Sequence, residues 1–246
     1  MKYCTRCVYP ANARPTIIFD EMGICSGCRH HESRNRIDWS ARARMLDTLL
    51  SEYREQSAAA GNVYDCIIPV SGGKDSHYLV HLIKVVHGLN PLCVTFNHGY
   101  NTPLGIRNLR NLVEKFEVDL VRFTVSPGSV RKLSRYMIKK VGDITWHYHA
   151  GIMTLPFQMA VQYRVPLIVW PEHYGEQTGV FTLDDMVEFT KWVRQEHDMR
   201  GLEPEDLVND PESGLTWRDV APYQFPTDEE IEEIGVRGIY LSLIHI

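Results

Sequence analysis

Residues 65–86 read DCIIPVSGGKDSHYLVHLIKVV. A short apolar run is closed by a glycine turn, and helical spacing follows at once. That pattern predicts a strand over 65–70 delivering the chain into a helix over 75–88. The turn between them is Ser71-Gly72-Gly73-Lys74-Asp75-Ser76. Main-chain N–H groups at a helix start have no intrahelical acceptor, and the helix dipole adds about half a positive charge there. Together they bind phosphate. The glycines permit positive φ and close approach of an anion. Ser71 and Ser76 add hydroxyl donors and Lys74 adds a cation. Asp75 either holds Mg²⁺ through the phosphates or caps the helix. The competing reading is a capped strand–helix turn with no ligand. Asp75 and Ser76 alone satisfy it, but it leaves two adjacent glycines and a lysine without purpose.

Working outward, strand and helix alternate. PLCVTF at 91–96, VDLVRFTV at 118–125 and VPLIVW at 165–170 read as strands. Helical patterns fall at 106–116, 130–141 and 150–163, the last with Pro156 expected to kink or shift it. A capping box of Thr182 with Asp185 starts a helix expected to run to about Met199. IGVRGIYL at 234–241 looks like a further strand, and the chain stops soon after on apolar residues, so it is expected to be shortened at that end. Strands separated by helices of this length imply an α/β fold with a parallel sheet covered on both faces. Such sheets bind ligands at the carboxyl ends of their strands.

The 246 residues are 44% hydrophobic and 23% charged, ordinary for a globular protein. No run approaches the roughly 18 apolar residues of a membrane span. The N-terminal MKYCTRCVYP lacks a signal-peptide core, so the expected compartment is the cytoplasm. A formal net charge of −5 argues against nucleic acid as the main partner, because phosphate backbones are bound by surplus Lys and Arg. Four of the six cysteines form two pairs, Cys4-x-x-Cys7 and Cys25-x-x-Cys28. Two such pairs match the template of a zinc ribbon. Four thiolates close the coordination sphere, so Zn²⁺ there folds the module and does no chemistry. The competing reading, two disulfides, is disfavoured in a cytoplasmic chain. Cys66 and Cys93 lie in strand-like runs and read as core residues. The expected organisation is a zinc ribbon over 1–36, a helical linker over 37–62 and, over 63–246, the α/β domain that carries the glycine turn. In the linker, Met45, Leu46, Leu49, Leu50 and Tyr53 define one apolar helix face.

The turn's spacing is neither G-x-x-x-x-G-K-[ST] nor G-x-G-x-x-G. SGGKDS after a first strand resembles the PP-loop motif of the ATP pyrophosphatase superfamily. With YCTRCVYP, GICSGC, TPLGIRNL, GDITW and VRGIYL, the chain resembles the N-acetyl sugar amidotransferase family from Cys4 to about Leu241. The resemblance implies an adenine-nucleotide α-hydrolase-like (PP-loop) domain. It implies ATP cleavage between the α- and β-phosphates, AMP passing to the acetamido oxygen of a sugar of surface polysaccharides. Ammonia from a separate glutaminase then replaces AMP, giving an acetamidino sugar. It also implies a nucleotide-contacting set of Ser71, Gly72, Gly73, Lys74, Asp75, Ser76, Phe96 and Asn97, with the second strand's end near the adenosine. Family chains are longer than this one.

Lys74, Asp75 and Glu172 are the expected catalytic residues. Glu172 follows the fourth strand with His173 and Glu176. A carboxylate there holds Mg²⁺ or orients the incoming amine, unless the segment is a solvated loop. His98 ends the second strand, and His147 and His149 precede a helix. The two latter face sugar or ammonia, or are plain polar surface. The acidic stretch at 183–189 reads as a capped amphipathic helix. The main rival function is a tRNA-thiolating enzyme, which also joins a cysteine-rich ribbon to SGGKDS. Such enzymes use further cysteines near the site, whereas none follows Cys93 here. The third reading is a non-enzymatic nucleotide-binding or interaction module.

Overall fold

The computed structural model describes residues 2–12, 17–171, 188–191, 194–195 and 199–241. Helix α1 (Ser26–Ser33) closes the N-terminal cysteine segment, and α2 (Trp39–Ala60) follows, capped by Asp38 accepting from the Ala41 N–H at 2.9 Å. Then come β1 (Cys66–Pro69), α3 (Lys74–Val80), β2 (Pro91–Asn97), α4 (Pro103–Phe116) and β3 (Asp119–Thr124). Next are α5 (Pro127–Lys140), α6 (Trp146–Tyr163) and β4 (Leu167–Trp170). Short helices α7 (Pro204–Asn209), α8 (Trp217–Val220) and α9 (Asp228–Ile234) lead into β5 (Arg237–Tyr240).

The five strands form one parallel sheet in the order β3-β2-β1-β4-β5. Alternation along each strand divides the core in two. Cys66, Ile68, Cys93, Leu167, Val169 and Ile239 pack on one face with Leu46 and Leu50 of α2, Leu79 of α3 and Leu112 of α4. Ile67, Leu92, Val94, Ile168, Trp170 and Tyr240 pack on the other, with Met153, Phe157 and Ala160 of α6. Helices therefore cover both faces, as the strand–helix alternation predicts. The linker helix is part of that cover: Leu46 and Leu50 are buried, whereas Met45 stays exposed.

Helix starts follow short-range chemistry. Thr102 accepts from the Gly105 N–H at 3.1 Å and Ser126 from the Ser129 N–H at 3.2 Å, each followed by a proline at the first helical position. These caps move both helices three residues upstream of the expected starts. Helix α6 begins at Trp146, four residues early, and runs through Pro156. Helix α3 passes at His81–Val86 into a π-helical segment, which periodicity did not suggest. One expectation is corrected. The helix expected from Thr182 to Met199 does not include residues 188–190: Glu188 bridges Ile239 antiparallel, and the Phe189 N–H donates to Gly238 O at 2.9 Å. The Thr182–Asp185 box itself lies outside the described residues. Among the described residues no helix is long and apolar enough to cross a membrane.

Candidate functional site

The sheet's chain order reverses between β1 and β4, because β2 and β3 lie to one side of β1 and β4 and β5 to the other. Ligand crevices of open parallel sheets form outside the strand ends at that point. A cavity of about 600 Å³ lies there. Its floor is the carboxyl ends of the central strands, Pro69 to Ser71, Val94 to His98, and Trp170 with Pro171. Ile106 and Leu109 of α4 and Tyr148, His149, Ile152 and Pro156 of α6 form its walls, and Arg122 and Arg200 add charge.

The SGGKDS turn sits on this cavity through Ser71 and Ser76. The Ser71 N–H donates to Ser76 Oγ at 2.9 Å, the two hydroxyl oxygens lie 3.3 Å apart, and the Gly73 N–H reaches Ser71 Oγ at 3.3 Å. The turn is thus closed on its own serines, with Ser76 buried. Gly72 has φ of +81°, and a Cβ there would lie 2.8 Å from Leu109 N. Lys74 and Asp75 do not line the cavity. Lys74 Nζ instead donates to both carboxylate oxygens of Asp75, at 2.6 and 2.8 Å.

Phe96 lines the cavity but is itself buried, stacked on Phe123 and packed against Tyr223. Gly151 of α6 covers its ring so closely that a Cβ there would lie 2.3 Å from it. Gly151→Ala should therefore cost about 1–3 kcal/mol through overpacking, read as a lowered Tm. An unchanged Tm would show that the α6–Phe96 contact is loose. Asn97 also lines the cavity. Its amide donates to Thr124 Oγ1 at 3.0 Å, and its carbonyl oxygen accepts from the Gly99 N–H at 3.2 Å and from Asn101 Nδ2. Those bonds tie the ends of β2 and β3 to the following loop.

The histidines separate in position. His98 and His149 line the cavity, and His147 is buried behind them. The Tyr100 N–H donates to His98 Nδ1 at 3.0 Å, which leaves the ring proton of neutral His98 on Nε2. Burial lowers the pKa of both His147 and His149. Burial would raise the Asp143 carboxyl. The Thr145 hydroxyl and N–H and the Arg200 guanidinium outweigh that and hold it below the usual carboxylate value. Arg122, Tyr148, Arg200 and the Asp143–Thr145 pair were not singled out from sequence. A charged residue inside the apolar third strand was a readable signal for Arg122, whereas Arg200 had none. Glu172, His173 and Glu176 lie outside the described residues. Among the described residues the cavity lining holds two arginines and no carboxylate.

A separate site lies in the first 28 residues. The sulfurs of Cys4, Cys7, Cys25 and Cys28 all lie within 4.8 Å of one another, Cys7 and Cys25 at 3.6 Å. A tetrahedral ion with bonds of about 2.3 Å places sulfurs roughly 3.8 Å apart, so the four fit a structural Zn²⁺. Main-chain N–H groups of Arg6 and Cys25 donate to Cys4 Sγ at 3.4 and 3.3 Å. Burial pushes the Cys4 thiol up, but such main-chain donors outweigh it and bring the pKa down to about 6. Burial and the neighbouring thiols push Cys28 up to about 12.

No protein-family model matches the chain. Over 118 residues it is 28% identical to the uncharacterized protein MJ1599 of Methanocaldococcus jannaschii, covering 48% of this chain. The chain spans only 41% of that relative's length. Among solved structures it is similar to an NH3-dependent NAD synthetase from Campylobacter jejuni. That match has a TM-score of 0.42 and 11% identity, over 80% of this chain and 95% of the other. An NMN synthetase from Francisella tularensis matches with a TM-score of 0.41 and 16% identity, over 78% and 90%. A tRNA methyltransferase subunit from Methanocaldococcus jannaschii gives 0.33 and 18%, over 49% and 59%.

Proposed function

We propose that this chain is an ATP-dependent, AMP-forming amidotransferase of the PP-loop type, acting on the acetamido group of an N-acetylated sugar. The observation that carries the reading is the placement of SGGKDS. This turn opens at the topological switch point onto a cavity with two arginines and, among the described residues, no carboxylate. Such a lining suits a polyphosphate, and its volume falls within the range of small-ligand sites, about 300–1,000 Å³. The N-acetyl sugar acceptor rests on the sequence resemblance.

An amide is a poor electrophile with a poor leaving oxygen. Its carbonyl oxygen attacks the α-phosphorus of ATP and pyrophosphate leaves, giving an O-adenylyl imidate. Ammonia adds to the activated carbon, and AMP departs with the C–O electron pair. The protein's task is to position the reactants and neutralise charge. Ser71, Ser76 and the main-chain donors of the turn hold the phosphates, and Arg122 and Arg200 offset their charge. Asp75, which Lys74 Nζ holds in this structure, would be the carboxylate to hold Mg²⁺, and the ion would supply neutralisation of phosphate charge. Ammonia comes from a separate glutaminase in the cytoplasm. Zn²⁺ on the four N-terminal cysteines is structural.

Sulfur transfer is the weaker reading. The two remaining cysteines, Cys66 and Cys93, are fully buried in the sheet. Burial raises both thiols, Cys93 to about 12, so neither serves as an accessible nucleophile.

The purified chain, given ATP, Mg²⁺, ammonium and a panel of UDP-linked acetamido sugars, should release AMP and pyrophosphate only when sugar is present. ADP as product, or turnover stimulated by tRNA and indifferent to sugar, sinks the reading.

A further inference from the structure

We propose that His149 Nε2 accepts the proton released by the nitrogen nucleophile, its tautomer set by Thr145 and Asp143. The catalytic part rests on the amidotransfer reading; the tautomer does not. Asp143 is a carboxylate that only accepts hydrogen bonds. The Thr145 hydroxyl donates its one proton to Asp143 Oδ1, which also accepts the Thr145 N–H at 2.7 Å. Thr145 Oγ1 lies 3.4 Å from His149 Nδ1. With its proton already given to Asp143, that oxygen can only accept from the ring. The proton of neutral His149 is therefore on Nδ1, and the lone pair is on Nε2. His149 lines the cavity, and with Nδ1 engaged by Thr145 Nε2 is the ring nitrogen left for a ligand.

The surroundings favour a neutral ring. Burial lowers its proton affinity, and Arg200 and buried His147 lower it further, against the pull of Asp143. Arg200 Nε donates to the other oxygen of Asp143 at 3.3 Å; the pull of that carboxylate on the ring exceeds the push of the guanidinium, and burial is what keeps the balance on the neutral side. Tyr148 packs edge-on against His149 at 4.4 Å and also contacts the His98 ring at 5.7 Å. His98, with its proton on Nε2, is a donor where His149 is an acceptor. The described lining residues include no carboxylate, and His149 is the general base among them.

Ammonia adds to the protonated O-adenylyl imidate, forming the C–N bond and leaving the new nitrogen as –NH3⁺. One proton passes from that nitrogen to His149 Nε2. AMP then leaves with the C–O electron pair, and the nitrogen lone pair forms the amidinium. Protonated His149 releases its proton to solvent. Without the base, the added nitrogen is the better leaving group and the intermediate reverts. Thr145 and Asp143 are positioning residues.

Two measurements test this on the full chain. Nitrogen-15 spectra of the histidine rings should show His149 as pyrrole-type at Nδ1 and pyridine-type at Nε2 at neutral pH. Thr145→Val should lose that preference and Thr145→Ser keep it. A wild-type ring protonated at Nε2 overturns the proposal whatever the reaction is. In the second, His149→Gln should lower ammonium-dependent amidine formation about 100-fold. Sugar-dependent exchange of pyrophosphate into ATP, measured with the UDP-linked sugar panel, should fall less than threefold. A base must be neutral to act, so wild-type kcat should decline as pH falls through the lowered pKa of His149, and His149→Gln should lose that limb. Equal loss in both half-reactions overturns the base assignment. Absence of sugar-dependent exchange in the wild type sinks the amidotransfer reading instead, and the ring spectra still decide the tautomer.

Discussion

On the proposed function, Gly72→Ala should abolish ATP-dependent turnover, and a smaller residue at position 109 should not restore it. Two costs meet at this position. A φ of +81° disfavours any residue with a Cβ by about 1–2 kcal/mol. A Cβ would also lie 2.8 Å from Leu109 N and 2.9 Å from Leu109 Cα, with Leu109 Cβ at 3.1 Å. Two of those three atoms are backbone of α4, so relief requires the turn or the helix to move rather than a side chain to rotate. Overpacking of this kind adds about 1–3 kcal/mol. A shift of the turn by about 1 Å is enough to cost roughly 100-fold in rate. Gly61→Ala is the control. Its φ is +69°, but nothing lies within 4 Å of the added Cβ, so it pays the backbone cost alone. Thermal melts should rank Gly72→Ala well below Gly61→Ala, and only Gly72→Ala should lose AMP formation. Equal melting temperatures, or rescue of Gly72→Ala by Leu109→Ala, would show that α4 does not brace the turn.

The centre of the sheet was legible because β1 and β4 are apolar on both faces. CIIP and LIVW leave no solvent-facing side, and buried parallel strands are written that way. The SGGKDS turn was legible for the converse reason, since polar and glycine residues interrupt an apolar run where only a special backbone needs them. What could not be read is where side chains go once helices pack. Lys74 and Asp75 read as site residues from type and spacing, yet in this structure they bind each other beside the cavity. Phe96 stands where the strand end predicts, but Gly151, fifty-five residues later, turns its ring into a core contact. Nothing local to either residue encodes that closeness. The Asp143–Thr145–His149 chain lies within seven residues and so was in principle visible. Its meaning depends on which proton goes where, and that required the hydrogen-bond geometry. The segment before β5 shows the same limit. A helical period around 188–190 lost to pairing with Ile239, a partner fifty residues away in sequence.

Cys25→Ser should remove the metal and unfold the N-terminal module while the sheet domain survives. Cys25 is buried, its sulfur lies 3.6 Å from Cys7 Sγ, and its N–H donates to Cys4 Sγ at 3.3 Å. It therefore contributes a ligand and also holds one. Among the described residues the local apolar core is Cys4, Ile17 and Cys25, with Phe19, Ile24 and Cys28 partly covered. A core this small does not support a fold alone, and a structural ion on the four sulfurs would supply the difference. Zinc content should fall from near one per chain to below about one tenth, with protease cleavage appearing ahead of α2. The proton count gives a second, sharper test. In the metal-free cluster Cys4 titrates at about 6 and is mostly thiolate at neutral pH. Burial raises Cys25, and burial with neighbouring thiols takes Cys28 to about 12, so both keep their protons. A metal requires thiolates. Binding near pH 7 must then expel at least the protons of Cys25 and Cys28, and affinity must weaken as pH falls. Calorimetric titration of zinc into the chelator-stripped chain, in buffers of different ionisation enthalpy, counts those protons. Release of none, or zinc content unchanged in Cys25→Ser, would mean that the four sulfurs do not act as one site.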